Sequence, residues 1–331
     1  MLTSKSRVKD SLPKNYEISL ENPIFLGGLD RTGKTLMRLM LTSHSNIAIT
    51  RRTYLWSKYY NKFGDLSQVE NFNLCLDAIL GSKSIQYLEP VEESIRSEFS
   101  QGEATYARLF GIIQKQFATK MGKSRWGDQM GMIEQFSYPI ISAYPRAKII
   151  HMIRDPRDRY KEKFSNKKIK PGKFGWETER WLKSIRLAHR NLRRYPQNYH
   201  IVGYETFITN AESTLQEVCE FIEEPYEHGM LKMENAIRFG DKPIQLRINL
   251  GDAVSQHSME AEMLLSNGEL AYLQSFARSE MLNNGYTLDN VKFSIVDWIK
   301  YSLVDWPANF AGGIAYKYSN SDSQNFPVQT M

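Results

Sequence analysis

Pro23-Ile-Phe-Leu-Gly-Gly-Leu-Asp-Arg-Thr-Gly-Lys-Thr-Leu-Met-Arg38 is the stretch that decides the fold. Ile24 to Leu26 is a short apolar run that reads as a buried strand. Gly27 to Gly33 is a glycine-bounded turn, and Leu36, Met37, Leu39 and Met40 then begin a helical pattern. A strand, a glycine loop and a helix N-terminus in succession build an anion site. Unpaired backbone N–H groups converge there, and the helix dipole favours negative charge. Gly28 to Thr35 also fits G-x-x-x-x-G-K-[ST] at every fixed position. Taken alone, this is a nucleotide phosphate loop in which Lys34 is the main residue.

Outward from the loop, Asn46-Ile-Ala-Ile-Thr-Arg-Arg52 reads as a short strand ending in a basic pair. From Tyr54 to Lys120 apolar residues recur at three and four positions, as in Phe72, Leu76, Ile79 and Leu80. That spacing predicts several helices, broken near Gly64, Gly81 and Glu89-Pro90. Ala147 to Arg154 is nearly continuous in apolar residues, the pattern of a strand covered on both faces. Asp155 and Pro156 suit the N-cap and first position of a following helix. Helices are expected over Trp181–Arg194, Ala211–Ile222 and Gly268–Gly285, and a strand over Tyr199–Tyr204. Alternating strands and helices predict an α/β fold: three αβα layers, a central parallel sheet of the P-loop NTPase kind, and helical insertions.

The expected organisation is a polar leader (1–20), one α/β domain (21–288), an amphipathic C-terminal segment (289–316) and a disordered tail (317–331). Residues 224–262 read as loop-rich. The segment Val291–Phe310 carries Phe293, Ile295, Trp298, Ile299, Tyr301, Leu303 and Trp306, and is expected to dock on this domain or on a partner.

The 331 residues include 43 basic and 37 acidic side chains, a net charge of +6. This mild excess suits an anionic ligand but lacks the dense basic stripe of a nucleic-acid binder. Cys75 and Cys219, the only cysteines, lie in apolar contexts and read as buried free thiols. No CxxC or Cys/His cluster suggests zinc. No run approaches the roughly 18 apolar residues of a membrane span, so a cytoplasmic protein is expected.

Ile150-His-Met-Ile-Arg-Asp-Pro-Arg-Asp158 is the second motif. An arginine at the C-terminal end of a parallel strand borders the crevice where such sheets bind ligands. It stays charged and grips phosphate with two N–H groups.

Together these motifs resemble the sulfotransferases that use 3′-phosphoadenosine 5′-phosphosulfate (PAPS). Arg31-Thr-Gly-Lys-Thr-Leu36 is similar to that family's 5′ segment, and the helix running to His44 to its tyrosylprotein branch. Ile153-Arg-Asp-Pro-Arg-Asp158 is similar to the family's 3′ segment. Trp126-Gly-Asp128 resembles the Trp-Gly-Asp-Lys-Thr stretch of bacterial members. Val202-Gly-Tyr-Glu-Thr-Phe207 and Leu215–Phe221 resemble a later strand and helix.

The resemblance implies PAPS as co-substrate, no metal, and a hydroxyl or amine acceptor; the sequence does not identify that acceptor, and small-molecule, carbohydrate, lipid and peptide acceptors all stay open. It implies that Arg31, Thr32, Gly33, Lys34 and Thr35 hold the 5′-phosphosulfate, with Arg31 at the bridging oxygen, where charge grows as the bond breaks. Lys34 departs from the family's Thr or Ser: it adds a second cation, or the loop holds a β-phosphate. Arg154 matches the arginine at the 3′-phosphate. The family's serine eight positions on is Glu162 here, so either this carboxylate points away or the 3′ site is altered, with Ser165 compensating. The branch's catalytic Glu falls at Arg52. Asp128 is the candidate general base, or a structural carboxylate. Arg51 and Arg52 grip an anionic acceptor, or form a solvated pair.

Other residues read as structural. His151 alternates with apolar neighbours as a hydrogen-bonded core histidine, and His44 lies near a helix end. Arg157 and Asp158 read as a local ion pair, Trp176 and Trp181 as core, Arg186 to Arg194 as a solvated face, and Tyr204 and Glu205 as strand-end supports. Two other functions stay open: a P-loop NTPase or small-molecule kinase using Lys34 and Mg-ATP, and a sulfotransferase-like binding protein without catalysis.

Overall fold

The computed structural model describes residues 20–164, 172–239 and 265–311, the last stretch without residues 293, 306, 308 and 309. Residues 1–19 of the expected leader, the expected tail, Ser165, Phe293 and Trp306 lie outside these. Five strands form one sheet: β1 (Ile24–Gly27), β2 (Ile47–Arg51), β3 (Arg125–Gln129), β4 (Lys148–Ile153) and β5 (Tyr199–Gly203), in the order β2-β3-β1-β4-β5. Every pairing is parallel, and Leu26 of β1 stands opposite Gln129 on one side and Ile150 on the other. With β1 central, the loop after it opens between strands reached by connections to either side. This is where open α/β sheets form a ligand crevice.

The helices are α1 (Lys34–Ser43), α2 (Val69–Leu80), α3 (Lys83–Gln86), α4 (Glu92–Phe99), α5 (Tyr106–Lys120), α6 (Ser137–Ala143), α7 (Pro156–Phe164), α8 (Lys173–Arg194), α9 (Tyr204–Thr209), α10 (Ala211–Ile222), α11 (Gly229–Lys232), α12 (Asn267–Asn283) and α13 (Ile295–Lys300). The period-2 alternation of β1 divides the core. Ile24 and Leu26 pack with Met37, Met40 and Leu41 of α1 and Leu215, Val218 and Ile222 of α10. Phe25 points to the opposite face, edge-on to Trp56 and Trp126, in the cluster built by α2, α4 and α5. A third cluster joins α7, α8 and α12 through Tyr160, Phe174, Trp181, Leu182, Tyr272 and Leu273. The sheet thus lies between two helical layers, as expected.

Local signals set several boundaries. Asp155 Oδ1 accepts from Arg157 N at 2.8 Å and so caps α7 at the position read for it. Ser266 and Glu269 close a reciprocal capping box at the start of α12. Gly285, at φ 79°, follows that helix in the left-handed conformation that ends it. Cys75 and Cys219 are buried and free.

β3 is absent from the sequence reading. Arg125-Trp-Gly-Asp-Gln129 has no apolar run and no clean alternation, yet all five residues are buried. Burial is possible because the charged and amide side chains find partners, although the Trp126 indole N–H has none among the described residues. Arg125 donates from Nε to Asn22 O (2.8 Å) and pairs with Glu224 (3.1 Å), while Gln129 accepts from Arg38 (2.9 Å). Gly127 is required here, because a Cβ would lie 2.3 Å from Ile24 O of the neighbouring strand.

One further reading changes. Arg157 and Asp158 do not pair with each other. Arg157 binds Asp155 and Asp289 (2.5 and 2.6 Å), and Asp158 binds Lys161 (3.2 Å), because residues adjacent on a helix point apart. The C-terminal segment docks through Tyr301, which stacks on Tyr272, and Asp305, whose Oδ1 accepts from Gly175 N at 3.0 Å. Ile295, Val296, Trp298 and Leu303 stay largely exposed. No helix among the described residues is long and apolar enough to cross a membrane.

Candidate active site

The loop between β1 and α1 is shaped by two glycines and one strained arginine. Gly28 has φ 109°, and a Cβ there would lie 2.2 Å from Met152 O of β4. Gly33, the residue before α1, has φ 85°, and a Cβ there would strike the Tyr204 ring at 2.4 Å. Arg31 itself is left-handed (φ 66°), a conformation costly for a residue with a side chain. The first bond of α1 runs from Met37 N to Gly33 O (3.1 Å), so the N–H groups of its first turn precede the ladder and face the loop's concavity.

The side chains of the loop divide their tasks. Thr32 is buried and its hydroxyl donates to Leu29 O at 2.8 Å, so the backbone is what it offers a ligand. Lys34 turns back: its ammonium donates to Gly28 O, and burial pushes its pKa down to about 8 against the pull of Glu134 and Asp30. Thr35 is half-buried in the first turn of α1. The Arg31 side chain is about half exposed and leans toward α7.

Arg154 arrives from the end of β4 and meets Arg31. Its Nη1 donates to Arg31 O (3.1 Å), and its guanidinium lies over the Tyr204 ring, 4.3 Å from the centroid. Its own carbonyl accepts from the Trp181 indole (3.0 Å). Tyr204 therefore floors both the arginine and the glycine loop. Glu205 beside it accepts from Asp155 N (2.8 Å) and fixes the turn after Arg154. These are supports, as read, but Tyr204 is one that shapes the anion site directly. Glu162 does not point away. One carboxylate oxygen accepts from Arg31 (3.3 Å) and the other from Arg154, so all three side chains meet.

Asp128 sits apart from this group, on the sheet face shared with Phe25. It is 1% exposed and accepts from the hydroxyls of Thr50 (3.0 Å) and Thr53 (2.5 Å). Burial pushes its carboxyl up to about 6, although the threonine bonds work the other way. Arg51 is bound through Tyr87 and Phe239 O (3.0 Å), whereas Arg52 is exposed, left-handed at φ 53°, and charged close enough to Lys34 to depress it. His151 is a core histidine. Its ring bonds Tyr199 OH (2.7 Å), and burial pushes its pKa down to about 3. Trp181 is core, and Arg186 reaches Glu280 on α12 (2.5 Å).

A charged cluster behind the loop escaped the sequence reading. Arg159, wholly buried, donates from Nε to Asp30 O (3.0 Å) and from Nη2 to Asp30 Oδ1 (2.9 Å) and Glu177 Oε2 (2.8 Å). Lys163 bridges the same two carboxylates at 2.7 and 2.8 Å. Burial acts to raise both acids, yet Arg159 and its neighbours hold Asp30 well below the usual carboxylate range and Glu177 at about 2. The signal in sequence is faint: an acid beside Arg31 and a base five positions after Arg154.

A glycine loop before a helix, at the centre of a parallel sheet, with two arginines converging beside it, is an arrangement in an α/β protein that suits a phosphoanion. Residues 23–228 match the sulfotransferase family model, and the chain belongs to that family. It is 23% identical over 243 residues to a protein-tyrosine sulfotransferase of Drosophila melanogaster, covering 72% of this chain and 45% of that protein. An uncharacterized protein of Aquifex aeolicus is 25% identical over 231 residues, 64% of this chain and 27% of that one. The chain thus spans less than half the length of these relatives. The sulfotransferase domain of the Synechococcus PCC 7002 olefin synthase superposes with a TM-score of 0.58 at 18% identity, covering 85% of this chain and all of that domain. The sulfotransferase domain of the curacin biosynthetic pathway gives 0.51 at 16% identity, covering 81% and 99%. Family and fold agree with the resemblance read from the two motifs.

Proposed function

We propose that this chain transfers a sulfuryl group from PAPS to a hydroxyl or amine acceptor by in-line displacement, with no metal required. The observation that carries this reading is the convergence of Arg31 and Arg154 on one carboxylate beside the glycine loop. Two fixed cations and the first turn of α1 suit a ligand with separated phosphate charges. Family membership supports the sulfuryl chemistry.

In this reading the acceptor oxygen attacks sulfur while the bond from sulfur to the bridging oxygen breaks. The electron pair leaves with the nucleotide phosphate, and Arg31 stabilises that growing charge. Lys34, released from Gly28 O, adds a second cation to the same phosphate, and Arg154 holds the 3′-phosphate. Asp128 takes the acceptor's proton. Being enclosed with Thr50 and Thr53, which are themselves buried, it does so once those side chains give way to the acceptor. The acceptor is a small molecule or a macromolecule: carbohydrate, lipid and peptide all fit this reading.

Titration with adenosine 3′,5′-bisphosphate and, separately, with ATP plus Mg²⁺ tests the donor. The bisphosphate at 100 times its Kd, without metal, should stabilise the fold by about 2.7 kcal/mol. Arg31→Ala should lose transfer by about 100-fold or more, while Arg154→Ala should chiefly weaken bisphosphate binding. Tight Mg²⁺-dependent ATP binding with no bisphosphate binding would move the assignment to a P-loop NTPase.

A further inference from the structure

Glu162 contacts both arginines of the anion site through different oxygens, Oε1 to Arg31 and Oε2 to Arg154. Arg154 and Glu162 differ in exposure. The Arg154 side chain is 9% exposed and is held by Arg31 O and the Tyr204 ring. Its Nε is buried with no hydrogen-bond partner among the described residues, so the edge turned to Glu162 is its main outlet for binding an anion. The Glu162 side chain is 34% exposed and lies on the second turn of α7, so its carboxylate is reached from solvent while it holds both arginines. A carboxylate and a phosphate cannot share these N–H groups, because both are acceptors and both are negative.

We infer that Glu162 is an intramolecular competitor for the phosphate site: an internal anion that a phosphorylated ligand must displace and that displaces the spent nucleotide in turn. The inference rests on the reading of Arg31 and Arg154 as ligand-binding residues. A tethered carboxylate stands at high effective concentration beside its arginines, so it reoccupies them whenever the ligand loosens. Its effect is to weaken binding and speed release. Without ligand it also neutralises one of two neighbouring cations that would otherwise repel each other.

The test uses Glu162→Gln and Glu162→Ala in the full chain, with thermal melts to establish folding. Adenosine 3′,5′-bisphosphate and inorganic pyrophosphate are the probes, measured by calorimetry and stopped-flow release. Both variants should bind both probes about 10-fold tighter than the parent, with the gain in the release rate. Unchanged or weaker binding of both probes by both variants overturns the inference, and so does failure of the variants to bind pyrophosphate at all. Tighter pyrophosphate binding, with no bisphosphate binding by any of the three proteins, would leave the internal competitor standing and remove the donor assignment instead.

Discussion

Asp128 and Arg31 illustrate how little a residue's chemistry says without its surroundings. Asp128 is an acid by sequence, but enclosure on the Phe25 face raises its pKa to about 6, near the working pH of a base. The sign follows. A base must be deprotonated, so kcat/KM should rise with pH through about 6. Asp128→Asn should remove that limb and most of the turnover while leaving bisphosphate affinity intact. Retained turnover with a lowered Tm would show instead that the carboxylate braces β2 against β3 through Thr50 and Thr53. Arg31 was legible as the key cation from its motif. Its left-handed backbone was not, because no glycine marks the position, and its contact with Glu162 was not, because that depends on α7 lying beside the loop.

At the scale of the element, the loop is held from behind. Arg159 on α7 grips both the carbonyl and the side chain of Asp30, the residue before Arg31, and ties them to Glu177 on α8. Arg159→Met should cost about 3–5 kcal/mol, because it strands buried carboxylates. With Arg31 no longer seated, it should lower kcat more than it raises the KM for the donor. A stability loss with normal kcat would make the cluster a brace only. Asp30 and Glu177 have folded pKa values below their unfolded ones. Their contribution is therefore fully present above about pH 4.5 and fades as pH falls toward about 2. β3 teaches the same lesson at this scale. Trp126-Gly-Asp128 was recognised as a motif, but not as a strand, because its burial relies on Arg38, Asn22 and Glu224, which are remote in sequence.

For the whole molecule, the third core cluster links the α7–α8 layer to the C-terminal helices. Gly175 on α8 allows the chain near Asp305 to approach, since a Cβ there would lie 2.4 Å from Asp305 O. Gly175→Ala should detach this segment and lower stability by about 1–3 kcal/mol, read as a fall in Tm. Bisphosphate affinity should not change, because Asp305 and Tyr301 bind Gly175 and Tyr272 rather than Arg31 or Arg154. A loss of affinity equal to that of Arg154→Ala would tie the segment to the site. The amphipathic pattern of 291–310 announced a docking helix, but its contacts run through Tyr301 and Asp305 while Ile295, Val296 and Trp298 face outward.

Sequence by itself determined the parallel α/β fold, the glycine loop and the paired arginine motifs. Each rests on local physics: apolar runs for buried strands, positive φ at Gly28 and Gly33, and an Asp-Pro helix start after Arg154. Only the tertiary structure decided what those residues meet. Tyr204 lies under Arg154, Arg159 grips Asp30, Glu162 spans two arginines, and Asp128 is sealed by threonines. The reason is one of range. Backbone conformation is set by neighbours along the chain, whereas charge, burial and access are set by neighbours across it.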